Sequence, residues 1–326
     1  MAPKLPPRSR AARPILDPGP DRRRRGRALL AALALFALAS EAGAQSAVFD
    51  HVATAANTSG RRTYISHPLI DGRPEAVFFV THHWNPPGQA GVYNDHSIGV
   101  VYVGLSGQRW AITNRDGAAM PIGAAFTVWI PRAGTTGSFS FRHTTTAANT
   151  FANRTRIDHP AMNGNPGLYV NVTPVFESEE PDAEFGTWYE GSGADRWTIF
   201  RQSSLATMPL GLEFNVCVGS CGLDGMTWYT ANVTCPANPD GSNVCTVLDF
   251  PALSHEDRLI LSGGWDGVYL DDPSGIYWSS SPAGWGIFLE NTASAMPEGA
   301  MFTIKATTGI YTNGFEHGDF FGWTLP

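Results

Sequence analysis

Short apolar runs broken by Gly, Pro and Asn make up most of this chain, and beyond residue 44 none carries a 3.6-residue apolar period over three turns. The first set of runs is Val48–Thr54, Thr63–His67, Ala76–Trp84 (AVFFVTHHW), Ile98–Val103 (IGVVYV), Arg109–Thr113 (RWAIT) and Ala125–Ile130 (AFTVWI). β-Branched and aromatic residues dominate them, and such residues fit a pleated, half-buried surface. Ala55–Gly60, Asp71-Gly72 and the Pro/Gly/Asn stretch Asn85–Asp95 separate the runs as turns and loops. Six short strands with this punctuation predict an all-β module.

The pattern then repeats. RWAITNRDGAAMPIGAAF at Arg109–Phe126 returns as RWTIFRQSSLATMPLGLEF at Arg196–Phe214 and as GWGIFLENTASAMPEGAMF at Gly284–Phe302. Met120, Met208 and Met296 each precede a Pro and lie 88 residues apart. HVATAANT at His51–Thr58 is answered by HTTTAANT at His143–Thr150, and ISHPLIDGRP at Ile65–Pro74 by IDHPAMNGNP at Ile157–Pro166. The third copy has drifted most: Phe250-Pro251 replaces the His-Pro pair, while Trp265 stands where Trp84 stood. The fold expected is therefore all-β, with three tandem repeats of about 80 residues at 49–132, 139–217 and 226–309. Each is read as an antiparallel β-sandwich or β-barrel-like module. The alternative is one closed pseudo-threefold assembly with a shared core. Within each copy the Trp is a core anchor. The Met-Pro pair ends a strand, because Pro cannot donate to a ladder. Gly123, Gly211 and Gly299 suit a turn with positive φ, and Phe126, Phe214 and Phe302 open the last strand.

The first 44 residues change the charge picture. Arg22–Arg25 and Arg27 precede a 12-residue apolar run, Ala28–Ala39, and Ala42-Gly43-Ala44 supplies small residues for cleavage before Gln45. That order predicts a signal peptide over 1–44, the run being too short to span a bilayer. The whole chain has 22 basic and 29 acidic residues, for a net charge of −7. Residues 1–44 hold nine of the basic and three of the acidic ones, so the remainder has 13 against 26, a charge of −13. Such an acidic chain argues against nucleic acid as a partner, since phosphate contacts need clustered Lys and Arg. No second apolar stretch is long enough for a transmembrane segment. The localisation expected is secreted, periplasmic or cell-surface. In that compartment Cys217, Cys221, Cys235 and Cys245 read as two disulfides. Cys235–Cys245 is favoured because turn residues Asn238–Gly241 lie between the sulfurs, which leaves Cys217–Cys221. A zinc site is the rival, with spacings that suit zinc poorly.

The blocks HPLIDGRP, VTHHWNP, IGVVYVG, RWAITNRD and MPIGAAF together resemble a family of uncharacterised repeat modules in secreted bacterial proteins. The resemblance covers nearly all of the first copy, most of the second and the latter half of the third. It implies no reaction. The ending NGFEHGDFFGW, within the tail 310–326, resembles the short GFE-x-GD…W tail of exported proteins of gamma-proteobacterial type. That implies export.

Candidate chemistry is sparse. No G-x-S-x-G, H-E-x-x-H, P-loop, dinucleotide fingerprint or EF-hand loop occurs. His51, His67, His82, His83 and His96 cluster in the first copy, but His82 and His83 are neighbours on one strand and point to opposite faces. We read His51 and His143 as hydrogen-bonded to nearby backbone, and the His-Pro pairs as shaping a turn; no metal or cofactor is expected. Asp116 and Glu290 occupy comparable strand ends where the second copy has Gln202-Ser203, without forming a pair that glycoside hydrolysis would need. The acidic run Glu177–Glu184 and Asp266, Asp271 and Asp272 read as solvated loops, with calcium binding the alternative. The loops after the third strand vary in length and charge on a constant scaffold, as a binding face does. Trp84, Asn85, Tyr93, Phe176, Trp265, Asp266 and Tyr269 are the ligand-binding candidates there, suited to a sugar ring and its hydroxyls. The leading expectation is a non-catalytic binding or adhesion module for a glycan or another extracellular surface ligand. The alternatives are an extracellular hydrolase of cell-wall or other polymers and a structural envelope protein.

Overall fold

The computed structural model describes residues 46–104, 107–131, 138–175, 183–219, 227–230, 245–248, 253–265, 267–281, 283–297 and 299–307. The leader, the tail, Cys221 and Cys235 lie outside them, as do Phe176, residues 177–182 of the acidic run, Phe250 and Asp266; of Cys245 only the backbone is described. The described residues form twenty β-strands and no helix. Thus none of them builds a helix long and apolar enough to cross a membrane.

The first copy contributes β1 (Ala47–Val52), β2 (Thr58–Ser59), β3 (Arg62–Tyr64), β4 (Phe79–His83), β5 (Ile98–Val103), β6 (Arg109–Asn114) and β7 (Ala125–Ile130). The second contributes β8 (Phe139–Thr144), β9 (Thr150–Phe151), β10 (Arg154–Arg156), β11 (Val170–Val175), β12 (Phe185–Glu190), β13 (Arg196–Arg201) and β14 (Glu213–Val218). The third contributes β15 (Thr227–Thr230), β16 (Cys245–Val247), β17 (Arg258–Gly264), β18 (Ser274–Ser280), β19 (Ala283–Leu289) and β20 (Phe302–Thr307).

These strands form three open mixed sheets, not barrels, in the orders β1-β7-β4-β18-β19-β16, β2-β3-β6-β5-β11-β14-β8 and β15-β20-β17-β12-β13-β10-β9. Each sheet joins half of one copy to half of another. The joins are the three parallel pairings, β4 with β18, β11 with β5 and β17 with β12. The chain leaving β4 does not turn back in a hairpin. Its loop carries it into the next sheet, and the edge it leaves is filled by another copy, so no inner edge stays unpaired. Each copy still encloses its own core between two layers: in the first, Val80, Val128 and Ile130 face Val100, Trp110 and Ile112. The two layers of one copy therefore belong to different sheets, as the closed assembly requires and separate modules would not.

The repeated residues hold the corners. Gly123, Gly211 and Gly299 have φ of 96°, 85° and 84°, the left-handed conformation that the turn after Met-Pro needs. Phe126, Phe214 and Phe302 are fully buried in three separate cores. The indole N–H groups of Trp110, Trp197 and Trp285 donate to the carbonyls of Arg73, Asn165 and Ser254, each at 2.9 Å. His51 and His143 differ from expectation: their Nε2 atoms meet the hydroxyls of Thr63 at 2.7 Å and Thr155 at 2.9 Å, not backbone. The partner lies across the sandwich, on β3 for His51 and on β10 for His143, where a threonine hydroxyl satisfies the buried ring nitrogen. His67 and His159 do shape their turns, each Nδ1 accepting from a backbone N–H two residues on at 3.2 Å.

The three strands β4, β11 and β17 meet where the copies converge, and their hydroxyls form a cycle. Thr81 Oγ1 accepts from Leu261 N at 2.9 Å, Ser262 Oγ from Val172 N at 3.0 Å, and Thr173 Oγ1 from Val80 N at 3.2 Å. Each copy thereby bonds the next. Beside them Phe79, Trp129, Cys217 and Ile260 form a small apolar cluster. Lys305 packs there too, its Nζ 5.1 Å from the Trp129 ring and donating to Cys217 Sγ. Burial pushes its amine down from 10.5 to about 7. Trp129, Cys217 and Lys305 are one position read three times, at spacings of 88.

Candidate functional site

The loops after β4 and β17 carry most of the described ligand-binding candidates. Register aligns them: His82 and Gly263 both pair with the buried Phe of the closing strand, so Trp84 and Trp265 are equivalent. Beyond the loops, Asn94 N donates to Glu290 Oε2 at 2.8 Å and Leu270 N to Gln202 Oε1 at 3.1 Å. Glu290 and Gln202 are themselves equivalent, so nine residues (85–93) lie between the anchors of the first loop and four (266–269) between those of the third. Tyr93 and Tyr269 close the two loops in the same way, edge-on to Phe288 at 5.9 Å and Phe200 at 6.0 Å.

Loop length decides what remains open. In the longer first loop Gly91 lies against the Trp84 ring, where a Cβ would come within 1.8 Å of it. Trp84 stacks obliquely on Tyr93 at 5.8 Å, and both pack on buried Tyr277 and Phe288. Asn85 spends its amide on the sheet: Nδ2 donates to Trp278 O and Oδ1 accepts from Trp278 N, both at 2.8 Å. That corner is filled. The shorter third loop leaves a cleft of about 190 Å³, lined by Asn153, Arg154, Trp188, Phe200, Trp265 and Tyr269. Trp188 and Trp265 meet edge to face at 4.9 Å, and Tyr269 is 38% exposed at the rim. The indole N–H of Trp265 has no acceptor among the described residues.

The cleft's polar side is Asn153 and Arg154, and Glu190 ties Arg154 to Arg156 just outside the lining. Arg154 Nη2 donates to Glu190 Oε1 at 2.8 Å, and Arg156 Nε to Glu190 Oε2 at 2.7 Å. The Arg156 bond, followed by that of Arg154, holds the Glu190 carboxyl down at about 2. Asn153 is fixed by donating to the carbonyls of Arg201 at 3.2 Å and Ser203 at 3.3 Å. Aromatic walls with a few oriented polar groups bind small rigid ligands by stacking and hydrogen bonding.

The family comparison finds the domain of unknown function DUF7452 twice, at residues 27–130 and 101–218, together spanning more than half of the chain. The chain belongs to that family. No curated protein and no solved structure matches it.

The structure brings Trp265 and Tyr269 of this DUF7452 chain into one cleft and puts Trp84, Asn85 and Tyr93 at a different junction. Phe176 and Asp266 lie outside the described residues. Trp188, Phe200 and Arg154 on strands of the second copy, and Asn153 in the tight turn before Arg154, escaped the sequence reading because none lies on the variable loops. The signal available was alternation: in Phe185–Glu190, Trp188 and Glu190 fall opposite the core positions.

The other polar clusters lie away from the cleft, and the His96–Asp116 pair at 2.7 Å is part-exposed. Glu290 Oε1 meets His82 Nδ1 at 3.1 Å, and Asn94 and Asn114 exchange amide bonds beside it. His83 Nδ1 meets Asp50 Oδ1 at 3.1 Å, with Arg258 on the other carboxylate oxygen at 2.7 Å. Burial pushes His83 down against the pull of Asp50. His82, His83 and Glu290 are all buried, so these groups tie the first copy to the third and do not face a substrate. Asp272 Oδ1 accepts from Asn291 at 3.2 Å and Ser294 at 3.1 Å. Among the described residues no three His, Cys, Asp or Glu side chains come together as a metal site.

Proposed function

We propose that this chain is an exported, non-catalytic binding or adhesion protein that holds a sugar ring in the cleft between Trp188 and Trp265. The observation that carries the reading is the contrast between equivalent corners: one is filled by Trp84, Tyr93 and Gly91, the other is open and walled by aromatic rings. A pyranose offers C–H faces for the rings and hydroxyls for the Arg154 guanidinium. The apolar run before Gln45, the GFE-x-GD tail and the four cysteines, read as disulfides, support export. The HPL…WNP…RWAI…MP blocks then serve as scaffold, and the loops and sheet faces between them select the ligand.

A glycan-array screen of residues 45–326, one compact unit, tests this with and without EDTA. Selective binding that survives EDTA is expected. Trp188→Ala and Trp265→Ala should each weaken it about tenfold or more, the loss of one aromatic stacking partner. Binding unchanged in both variants would remove the cleft from consideration.

A further inference from the structure

The cleft continues into a ladder of alternating aromatic and charged side chains on the outer face of one sheet. Trp188 pairs with Thr198 and Glu190 with Arg196 across β12 and β13. Arg154 pairs with Phe200, Arg156 with Thr198, and Arg154 again with Phe151 on the edge strand β9. Directly paired residues share a face, so Trp188, Glu190, Phe200, Arg154, Arg156 and Phe151 all project to the same side. The alternate residues Thr187, Ile199 and Thr155 point inward and are buried.

Contacts run the length of this face. Trp265 leans on Trp188, the Arg154 guanidinium lies 5.8 Å from the Trp188 ring, Glu190 bridges Arg154 and Arg156, and Arg156 lies 4.4 Å over Phe151. From β12 to β10 is about 10 Å across the sheet, a span that a short oligosaccharide covers. Two guanidiniums share one carboxylate, which leaves one positive charge in a chain of net charge −7. Arginine presents a planar fork that matches a carboxylate better than it matches a hydroxyl.

We propose that the ligand is an acidic glycan bearing uronic-acid carboxylates, with one sugar ring in the Trp188–Trp265 cleft and a neighbouring carboxylate on Arg154 and Arg156. This rests on the cleft reading above and adds the ligand's chemical class. The aromatic rings supply affinity for the sugar face, and the arginines supply discrimination by charge.

Binding of the full chain to polygalacturonate and to its methyl-esterified form tests it, because the two polymers differ in charge and share a backbone. The free acid should bind about tenfold tighter or more, and the difference should vanish in about 1 M salt, where the screening length is about 3 Å. The variant Arg156→Gln, at a residue outside the cleft lining, should lose most of the preference and keep the ester's affinity, which also shows that it folds. Arg156→Lys, which retains the charge and loses the fork, should keep part of the preference. Trp188→Ala should weaken both polymers. Equal binding of acid and ester, with Trp188→Ala still weakening both, would overturn the uronate assignment and leave the cleft reading standing. Failure of the free acid to bind would also overturn the assignment. Unchanged binding in Trp188→Ala would overturn both readings.

Discussion

His51 and His143 show what one residue type does when its surroundings repeat. Each is buried in its own copy with a threonine hydroxyl on Nε2, and burial pushes each from 6.5 to about 4. The unfolded chain takes up these protons below about pH 6.5, whereas the folded chain resists until about pH 4. Stability is therefore fully present above 6.5 and falls as pH drops through that window, by roughly 3 kcal/mol per histidine over the whole of it. Urea unfolding measured from pH 7 to 4 should show this fall, and His51→Gln/His143→Gln should flatten it. An unchanged slope in the variant would assign the acid sensitivity to other groups. The residues that recur in sequence are those that meet the same local need three times: Trp for the core, Met-Pro to stop a strand, Gly for positive φ. Arg154 and Trp188 have no such signature, because their use depends on what packs beside them.

At the scale of strands, most of the longer runs hold their expected boundaries, whereas Thr63–His67 shifts to Arg62–Tyr64 and the expected turn Ala55–Gly60 contains the short strand β2. IGVVYV and AFTVWI are β5 and β7 as read, and RWAIT extends by one residue into β6. Ala76–Trp84 shortens to Phe79–His83, since beyond it the backbone serves the junction with the third copy. Trp84 N donates to Ile276 O at 2.9 Å, and the Asn85 side chain continues the ladder by taking both backbone groups of Trp278. An amide that mimics one more rung of a parallel pair leaves two buried or half-buried groups unsatisfied when removed. Asn85→Ala should cost about 2 kcal/mol in denaturant unfolding, with little effect on glycan binding at the other junction. A loss of binding without a loss of stability would instead make Asn85 part of a ligand site. The other junctions use different chemistry at one aligned position. Glu290 accepts from Asn94 N, Gln202 accepts from Leu270 N and donates to Gly264 O, and Arg115 donates to Ala183 O at 2.6 Å. Glu290 and Gln202 both accept from a backbone N–H whereas Arg115 can only donate, so the junction that uses Arg115 differs from the other two.

At the scale of the molecule, each sheet is built from strands of two copies. Residues 46–131 taken by themselves would expose the inner edges of β4 and β5 and lose the hydroxyl bonds that Thr81, Thr173 and Ser262 make in a cycle. An isolated first copy should therefore be unfolded or associate through those edges. The chain from 45 to 326 should melt in one calorimetric transition whose calorimetric and van't Hoff enthalpies agree. Three separate transitions would show that the copies are independent domains.

The amino-acid pattern alone settled the all-β class, the threefold repeat, the longer strands and the corner residues, because alternation, Pro, Gly and a Trp anchor act over a few residues. It also pointed to Trp265 and Tyr269 through the variability of their loop. Only the tertiary structure decided which half-sheets join, since residues such as Asn85 and Trp278 meet from 193 positions apart and no local period encodes that pairing. The cleft belongs to the same level. It exists because Trp188 and Trp265 come from different copies and because the third loop is too short to fill the corner that Tyr93 and Gly91 help to close in the first.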